Sequence, residues 1–132
     1  MEVMLRRECL DRLADQPVGR LAIVAGGRPE IFPVNYAMAG DTVVFRTADG
    51  TKLGGALNGP VAFEVDHTDP NHRSGWSVVI HGRAEAVDEF SSPTVAEAAR
   101  AMPIDPWASF PKNHLVRIVP SSITGRRIAG DA

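Results

Sequence analysis

The residues best suited to chemistry in this sequence are two cations and two hydroxyls grouped around one turn. They lie in the stretch VVFRTADGTKLGGAL, residues 43–57. Its β-branched and aromatic start favours a strand, Ala48-Asp49-Gly50 breaks that strand, and the hydroxyl of Thr51 can cap a short helix. The sequence therefore predicts a strand, a tight turn and a helix N-terminus, around which four side chains gather: Arg46, Thr47, Thr51 and Lys52.

A corner of this kind suits an anion, and a phosphate above all. The free N–H groups and the positive dipole end of a helix attract negative charge, and the cations and hydroxyls add hydrogen bonds. An ordinary helical crossover with solvated charges would show the same residues. The residues alone leave both interpretations open.

The composition is that of one globular domain, residues 1–132, with many turns. Of its residues 44% are hydrophobic and 23% are charged, and the 12 glycines and 10 prolines indicate β-rich structure. A net charge of −2 argues against a nucleic-acid surface, and a single cysteine permits neither an intrachain disulfide nor a cysteine zinc cluster. No apolar run has the length of a membrane span and no signal-peptide pattern is present, so we expect a cytoplasmic protein without a membrane partner.

Apolar residues at helical spacing in residues 2–14 predict an amphipathic helix, which Asp15-Gln16-Pro17 ends. We expect this N-terminal segment, residues 1–16, to pack on a sheet or over the mouth of a barrel. Cys9 within it is then a small core residue rather than a nucleophile.

The rest of the chain is predicted to form short strands separated by turns. Gly26-Gly27 signals a hairpin, Pro33 indicates an edge or a bulge because it cannot donate to a ladder, and Gly82 indicates a bend in a long strand. The polar run DHTDPNHRSG predicts a ten-residue loop, residues 66–75, that lines a site. The predicted strands are residues 19–25, 30–38, 42–47, 61–65, 76–87 and 114–119, with 122–128 extending the last or pairing elsewhere, and a second side helix covers 93–102.

Six or seven strands in hairpin order, with two or three helices at the side, fit a small antiparallel barrel. The predicted fold class is therefore mainly β, a β-barrel with flanking helices. No linker or internal repeat divides the chain.

Side chains for acid–base or nucleophilic catalysis are scarce. No serine lies in a nucleophile-elbow motif, and the histidines lack a metal-binding spacing. His67 and Asp69 could share a metal, but a solvated loop pair is the better interpretation, and we expect no metal site. A chain of this kind is typical of proteins in which a cofactor supplies the reactivity.

Three further side chains are candidates for ligand or partner contacts. Trp76 enters a strand from the predicted polar loop, and Trp107 lies in a loop flanked by prolines, so either could border a flat aromatic ligand or simply fill the core. Arg126 belongs to a solvated edge or to a contact with a partner chain.

Three segments of the sequence resemble the pyridoxamine 5′-phosphate oxidase-like, FMN-binding split-barrel family in its small single-domain form. They are GRLAIVAGGRPEIFPVNYAMAGDTVVFRTADGTKL, PVAFEVDHTDPNHRSGWSVVIHGRAEAV and HLVRIVPSSITGRRI, and they span most of residues 18–128. The resemblance implies a six-stranded antiparallel Greek-key split barrel that dimerises, with the cofactor sites at the subunit interface.

The resemblance also implies roles for individual residues. The phosphate of FMN falls on the four residues of the predicted corner, and the backbone of the strand Pro33-Val34-Asn35-Tyr36 meets the polar edge of the isoalloxazine ring. Trp76 and Ser77 fall near that ring, while Trp107 and Arg126 are weaker candidates for contacts from the partner chain.

Two departures from the family pattern bear on function. The family's Arg-Lys pair at the helix start is Thr51-Lys52 here, and Arg46 can substitute for the missing cation. The C-terminal extension that completes the substrate site of the vitamin-forming oxidases is not recognisable, so pyridoxamine phosphate is not the expected substrate.

The expected function is an FMN-dependent oxidoreductase that passes hydride or electrons to a small acceptor. Three alternatives stay open on the same fold. They are a deazaflavin-dependent reductase, a haem-binding protein that uses His81 or His114 as axial ligand, and a flavin-binding sensor or interaction module without enzyme activity.

Overall fold

A computed structural model describes residues 1–47, 57–87, 93–101 and 114–130. Within these ranges the chain forms mostly antiparallel strands. The elements are β1 Glu2–Val3, α1 Arg6–Asp15, β2 Val18–Ala25, β3 Arg28–Ala39, β4 Thr42–Thr47, β5 Pro60–Asp69, β6 Ser74–Val87, α2 Pro93–Ala101 and β7 His114–Ile128.

The sheet closes on itself into a barrel. Its strands follow the order β1-β7-β4-β3-β2-β5-β6, and β6 pairs back to β7, so six strands form the closed barrel and the two-residue β1 adds to the outside of β7. Strands β2, β3 and β4 follow one another, and β5 returns to lie beside β2, which is the Greek-key arrangement. The predicted six-stranded Greek-key split barrel is confirmed, with β1 as an additional strand.

Alternating side chains fill the barrel. Every second residue of a strand points inward, and the inward set is almost entirely apolar. The largest fully buried side chains of this core include Leu21, Phe45, Phe63, Ile80 and Ile118. A smaller cluster on the outside is covered by α2, whose Val95 and Ala98 pack with Val44 and Leu115.

Helix α1 packs against strands β3, β6 and β7. Cys9 and Leu13 are fully buried in the main core, and the hydroxyl of Tyr36 donates a hydrogen bond to the Leu13 carbonyl at 2.5 Å. Burial, with a smaller contribution from the charge of Glu8, raises the pKa of the Cys9 thiol, which disfavours the reactive thiolate. The helix begins only at Arg6, so the predicted start at residue 2 is wrong, because Glu2–Val3 pairs with β7 instead.

Glycines allow the turns and one bend. Gly26 and Gly27 adopt φ of 59° and 75°, and Gly40 adopts 64°, conformations that side chains with a Cβ rarely take. The β6–β7 register shifts between His81 and Gly82, and a Cβ on Gly82 would lie 2.2 Å from the Val119 carbonyl oxygen. The predicted bend at Gly82 is therefore confirmed.

The predicted ten-residue loop at residues 66–75 is wrong. Strand β5 continues to Asp69 and β6 starts at Ser74, so the connection is a tight hairpin in which the Asp69 carboxylate accepts hydrogen bonds from the backbone N–H groups of Asn71 and His72. Polar residues in this run face solvent while their backbone pairs across the ladder, which sequence polarity cannot reveal.

Helix start signals at Thr51 and Lys52 lie outside the described residues. No helix in the described ranges is long and apolar enough to cross a membrane.

Candidate functional site

Strand alternation separates the four residues predicted to run beside a ring. Val34 and Tyr36 point into the barrel and are buried, while Pro33 and Asn35 face outward. Tyr36 packs edge-on against Phe63, with ring centroids 4.9 Å apart. On the outer face, therefore, this segment offers the side chains of Pro33 and Asn35 together with its backbone.

Within the described residues, one edge of this segment's backbone is unpaired. Strand β3 pairs with β2 over the whole length of β2, but its ladder with β4 stops at Tyr36–Phe45. The Tyr36 N–H donates to the Pro17 carbonyl on the β2 side, so the Asn35 N–H and the Pro33 carbonyl point the other way, toward the open edge. Pro33 sits where its missing N–H breaks no bond to β2, which agrees with the edge predicted from the sequence.

Arg46 lies next to this edge. Tyr36 and Phe45 form the last β3–β4 pair. Asn35 precedes Tyr36 and Arg46 follows Phe45, so both lie one residue beyond the ladder, and Arg46 is half-buried on the outer face. It forms no ion pair with any residue in the described ranges. We call Arg46, Asn35 and Pro33 the anion corner. The Arg46 guanidinium can donate hydrogen bonds to an anion without first releasing a carboxylate.

The other residues predicted for the phosphate are placed differently or not described. Thr47 is only 3% exposed, points into the barrel and pairs through its backbone with His114. The structure therefore puts the side chains of Thr47 and Arg46 on opposite faces of β4. Thr51 and Lys52 lie outside the described residues, as does Trp107.

Trp76, Ser77 and Arg126 come together at a cleft. The cleft lies beside the β5–β6 turn and has a volume of about 610 Å³. Its lining includes these three residues, the charged Asp66, Asp69 and Arg73, and Thr68, Pro70 and Ile128. Asp66, Ser77 and Arg126 form one row across β5, β6 and β7. Arg126 is exposed and, in the part of the chain that the structure describes, has no ion pair. We call this the hairpin cleft.

Arg20 lies between the two features, and the sequence analysis did not single it out. Its guanidinium lies 3.0 Å from Glu64 and 3.0 Å from Asp66, and hydrogen bonds and charge from Asp66, then Glu64, raise its pKa. It is the cross-strand neighbour of Pro33, so it links the anion corner to the row that ends in the hairpin cleft. Alternation within β2 places Arg20 outward, but the β2–β5 pairing that brings it to Glu64 spans a long-range connection.

The described residues contain no metal-binding cluster and no ion pair between His67 and Asp69. No group of three metal-ligating side chains exists there, and Asp69 pairs with His72 rather than His67, with 2.7 Å between carboxylate and Nδ1. His81 is exposed on the outer face, between Ala62 and Ser122. It does not point into the barrel.

The anion corner and the hairpin cleft are separated within one chain. Arg46 is on β4 and Ser77 on β6, and β3, β2 and β5 lie between them. Four inter-strand spacings correspond to about 19 Å around the sheet. The two features therefore flank one outer face rather than forming a single pocket.

The protein is a Greek-key split barrel whose candidate site is the anion corner at an unpaired strand edge. Comparison with known proteins identifies its family. The family model described as pyridoxamine 5′-phosphate oxidase matches residues 5–127, so the chain belongs to this family.

Three similar proteins agree with that assignment. An uncharacterized protein of Mycobacterium tuberculosis is 33% identical over 133 residues, which cover 96% of this chain and 85% of that protein. A solved FAD-binding protein from Mycobacterium smegmatis is 37% identical with a TM-score of 0.81, covering 98% of this chain and 100% of that one. An FAD-binding protein from Mesorhizobium loti is 25% identical with a TM-score of 0.78, covering 98% and 97%.

Proposed function

We propose that this protein binds a flavin nucleotide between two copies of the chain and acts as a flavin-dependent oxidoreductase on a small acceptor. The observation that carries the proposal is the anion corner, where a half-buried arginine without a carboxylate partner among the described residues adjoins an open strand edge. Membership of the family and the two FAD-binding structures support it.

The residues present fit the group. The guanidinium of Arg46 would hold the phosphate, and the Asn35 N–H and the Pro33 carbonyl supply a donor and an acceptor for the polar edge of the ring. Thr51 and Lys52 remain proposed phosphate contacts, and Trp76 and Ser77 remain proposed ring contacts. The side chain of Thr47 is not among them, because it points into the barrel. A bound flavin would supply reversible hydride and electron transfer, while the chain binds, orients and shields it.

The outer face also fits a second copy of the chain. Val18, Val24 and Ile31 are exposed on the β2–β3 hairpin, and the small side chain of Ala22 lies between them on the same face. Apolar patches of this kind mark interaction surfaces. In a homodimer the hairpin cleft of one copy can approach the anion corner of the other, which supplies ring contacts that one chain holds about 19 Å away.

The form of the flavin is the finer part of the proposal. FAD is favoured because both flavin-binding neighbours named above bind FAD, and FMN shares the phosphate that Arg46 would hold. Deazaflavin carries the same group. Haem is disfavoured because His81 is exposed on the outer face of the barrel, while the side chain of His114 lies outside the described residues.

Flavin titration tests the proposal. Purified protein from which any bound cofactor has been removed is titrated with FAD, FMN, a deazaflavin and haem, and binding is read from quenching of fluorescence or a change in absorbance. Arg46→Gln should weaken flavin binding by about 10- to 100-fold, the effect of losing a charged hydrogen bond. Arg28→Gln, an exposed arginine at the start of β3, is the matched control and should bind as the wild type does.

Equal affinity of wild type and Arg46→Gln, or no flavin binding at micromolar concentration, would remove the basis of the proposal. Native mass spectrometry of the protein as isolated then tests the dimer and the bound mass together. Oxidation of a pyridine nucleotide with flavin and an artificial acceptor tests the enzyme activity. Turnover no faster than free flavin would favour the sensor or interaction module instead.

A further inference from the structure

An asparagine followed by a glycine lies where the chain enters β5. Asn58 adopts a φ of 65°, in the left-handed region that asparagine and glycine tolerate better than other residues. Its N–H donates to the Ala84 carbonyl at 2.6 Å, and the Ala84 N–H donates to the Gly59 carbonyl at 3.2 Å. Two residues therefore oppose one, which is the pattern of a β-bulge whose first residue is left-handed. We call Asn58, Gly59 and Ala84 the entry bulge.

The same dipeptide is chemically labile. The backbone nitrogen of the residue after an asparagine can attack the carboxamide carbon of that asparagine, and glycine hinders the attack least because it has no side chain. Each of the other asparagines precedes a bulky residue, in Asn35-Tyr36, Asn71-His72 and Asn113-His114. Asn58 is also exposed, so water can reach its carboxamide. Sequence and exposure therefore both single out Asn58.

The fold opposes this reaction because it fixes the peptide group between Asn58 and Gly59. For the ring to close, this peptide group must rotate about the Cα–C bond of Asn58 until the Gly59 nitrogen reaches Cγ. Rotation would break the hydrogen bond that the Arg83 guanidinium donates to the Asn58 carbonyl, and it would pull the Gly59 carbonyl away from the Ala84 N–H. The reaction therefore requires the entry bulge to open first.

We propose that Asn58 is a site of spontaneous deamidation, and that the entry bulge, held by Arg83, suppresses the reaction in the folded protein. In the reaction the Gly59 nitrogen loses its proton and forms a bond to Cγ of Asn58, the bond from Cγ to the side-chain nitrogen breaks, and ammonia leaves. Water then opens the cyclic imide at either of its carbonyls, which gives aspartate or isoaspartate. No oxidant or reductant takes part.

The two products differ in what they do to the entry bulge. Aspartate leaves the path of the main chain unchanged and adds a negative charge near Arg83. Isoaspartate leads the main chain through Cβ, which lengthens the path between the N–H of residue 58 and the Gly59 carbonyl. Because Ala84 bonds both of these groups, the longer path breaks at least one of the two bonds. The isoaspartate form should therefore melt at a lower temperature than Asn58→Asp.

Incubation of the full-length chain in mildly alkaline buffer tests the proposal. Trypsin releases residues 53–73 as one peptide, and fragmentation in a mass spectrometer locates the gain of mass and the isoaspartate within it. Asn58 in the native protein should deamidate about tenfold more slowly, or slower still, than in the same chain unfolded in urea, because the bulge must open first. Asn58→Gly accepts the positive φ and lacks a carboxamide, so this control should gain no mass at position 58.

Arg83→Gln tests the role of the guanidinium. The substitution removes the bond to the Asn58 carbonyl, and it should speed deamidation of the folded protein about two- to tenfold, the effect of one hydrogen bond on the opening equilibrium. Arg28→Gln, an exposed arginine at the start of β3, is the matched control and should leave the rate unchanged. Urea unfolding of each variant separates local opening of the bulge from loss of the whole fold. In urea all of these proteins that retain Asn58 should deamidate at the same rate.

Native protein that deamidates at Asn58 as fast as the unfolded chain would show that the bulge gives no protection, and it would overturn the proposal. Deamidation in urea that is no faster at Asn58 than at Asn71 would overturn it as well, because the following glycine would then make no difference. An Arg83→Gln protein that is stably folded and deamidates at the wild-type rate would exclude the role of Arg83. None of these results depends on flavin binding, so the proposed function is tested separately.

Discussion

We expect Gly125→Ala, which adds one methyl group, to displace helix α1 from β7. The glycine lies on β7, directly beneath the helix, and the Met4 N–H donates to its carbonyl at 2.9 Å. A Cβ built on Gly125 would lie 2.6 Å from the Cys9 Sγ, 3.1 Å from the Met4 Sδ and 3.2 Å from the Met4 Cβ. Cys9 is fully buried, so its sulfur has no open space into which to move.

The sign of the effect distinguishes this close contact from an ordinary strand glycine. In a strand interior, replacing Gly by Ala is expected to stabilise by about 0.5–1 kcal/mol, because the unfolded chain loses freedom. At Gly125 the contact below 3.0 Å demands a displacement, and overpacking of a core costs about 1–3 kcal/mol. Gly125→Ala should therefore lower the free energy of unfolding by roughly 2 kcal/mol, or the melting temperature by roughly 5–10 °C for a chain of this length.

A double variant identifies the clashing atom. Cys9→Ala removes the sulfur and alone should cost about 1 kcal/mol through the cavity it leaves. In the Gly125→Ala background the same change should cost less or restore stability, with a coupling free energy of about 1–2 kcal/mol. Urea unfolding of the four proteins, monitored by circular dichroism, measures this, and Trp76 emission should shift in Gly125→Ala because α1 holds Arg12 over the indole.

A Gly125→Ala protein as stable as the wild type would refute the reasoning. So would strict additivity of the two changes, because it would mean that Cys9 and residue 125 do not compete for the same space.

Two further predictions concern the same helix and its surroundings. Burial, with Asp15 nearby, raises the pKa of Tyr36 above its ordinary value of 10. The folded protein should therefore show no tyrosinate absorbance at 295 nm up to about pH 11. Because the chain has one tyrosine, the signal that appears near pH 10 in urea reports this residue. Since the folded state keeps a proton that the unfolded state loses, stability should fall above about pH 10, and Tyr36→Phe should reduce this fall while losing the bond to Leu13; native absorbance that titrates near pH 10 would show that the hydroxyl is not buried. Arg127→Gln should release β1 and α1, because its guanidinium contacts both Glu2 and Glu8; the measure is faster exchange of the Met4 amide with little change in melting temperature, and unchanged exchange would mean that the Met4–Gly125 bond alone fixes the N-terminus.

Local patterns carried most of the fold. Glycine pairs, the Pro33 edge and the Gly82 bend each follow from backbone stereochemistry at one residue, and period-two alternation marks the strands. The resemblance to a known family supplied the strand order. Local patterns misplaced the elements whose pairing decides their state: Glu2–Val3 is a strand only because β7 offers an edge, and residues 66–75 are a hairpin only because β5 and β6 continue to pair.

The candidate site was accessible to sequence reasoning only in part. Arg46 could be found because it follows a strand at the point where turn residues begin, which is a local signal. The backbone donor of Asn35 depends on where the β3–β4 ladder stops, and the separation of Val34 from Asn35 depends on which face the barrel closes over. Both are consequences of tertiary pairing.

The arginines of the barrel show why pairing decides function here. Arg20 and Arg117 face outward as Arg46 and Arg126 do, and Arg127 lies on the opposite face of β7 from Arg126. Each of these three paired arginines, Arg20, Arg117 and Arg127, meets a carboxylate on a neighbouring element, at 3.0 Å for Arg20–Glu64 and 3.0 Å for Arg117–Glu85. An arginine already paired must give up that partner before it binds a ligand anion, whereas one without a partner gains the full charge-assisted bond. Among the strand arginines without a carboxylate partner in the described part of the chain, Arg46 borders the anion corner and Arg126 borders the hairpin cleft, whereas Arg28 and Arg83 lie elsewhere on the sheet. Composition counts these arginines as equal, and only the strand register shows which of them meet a carboxylate across the sheet.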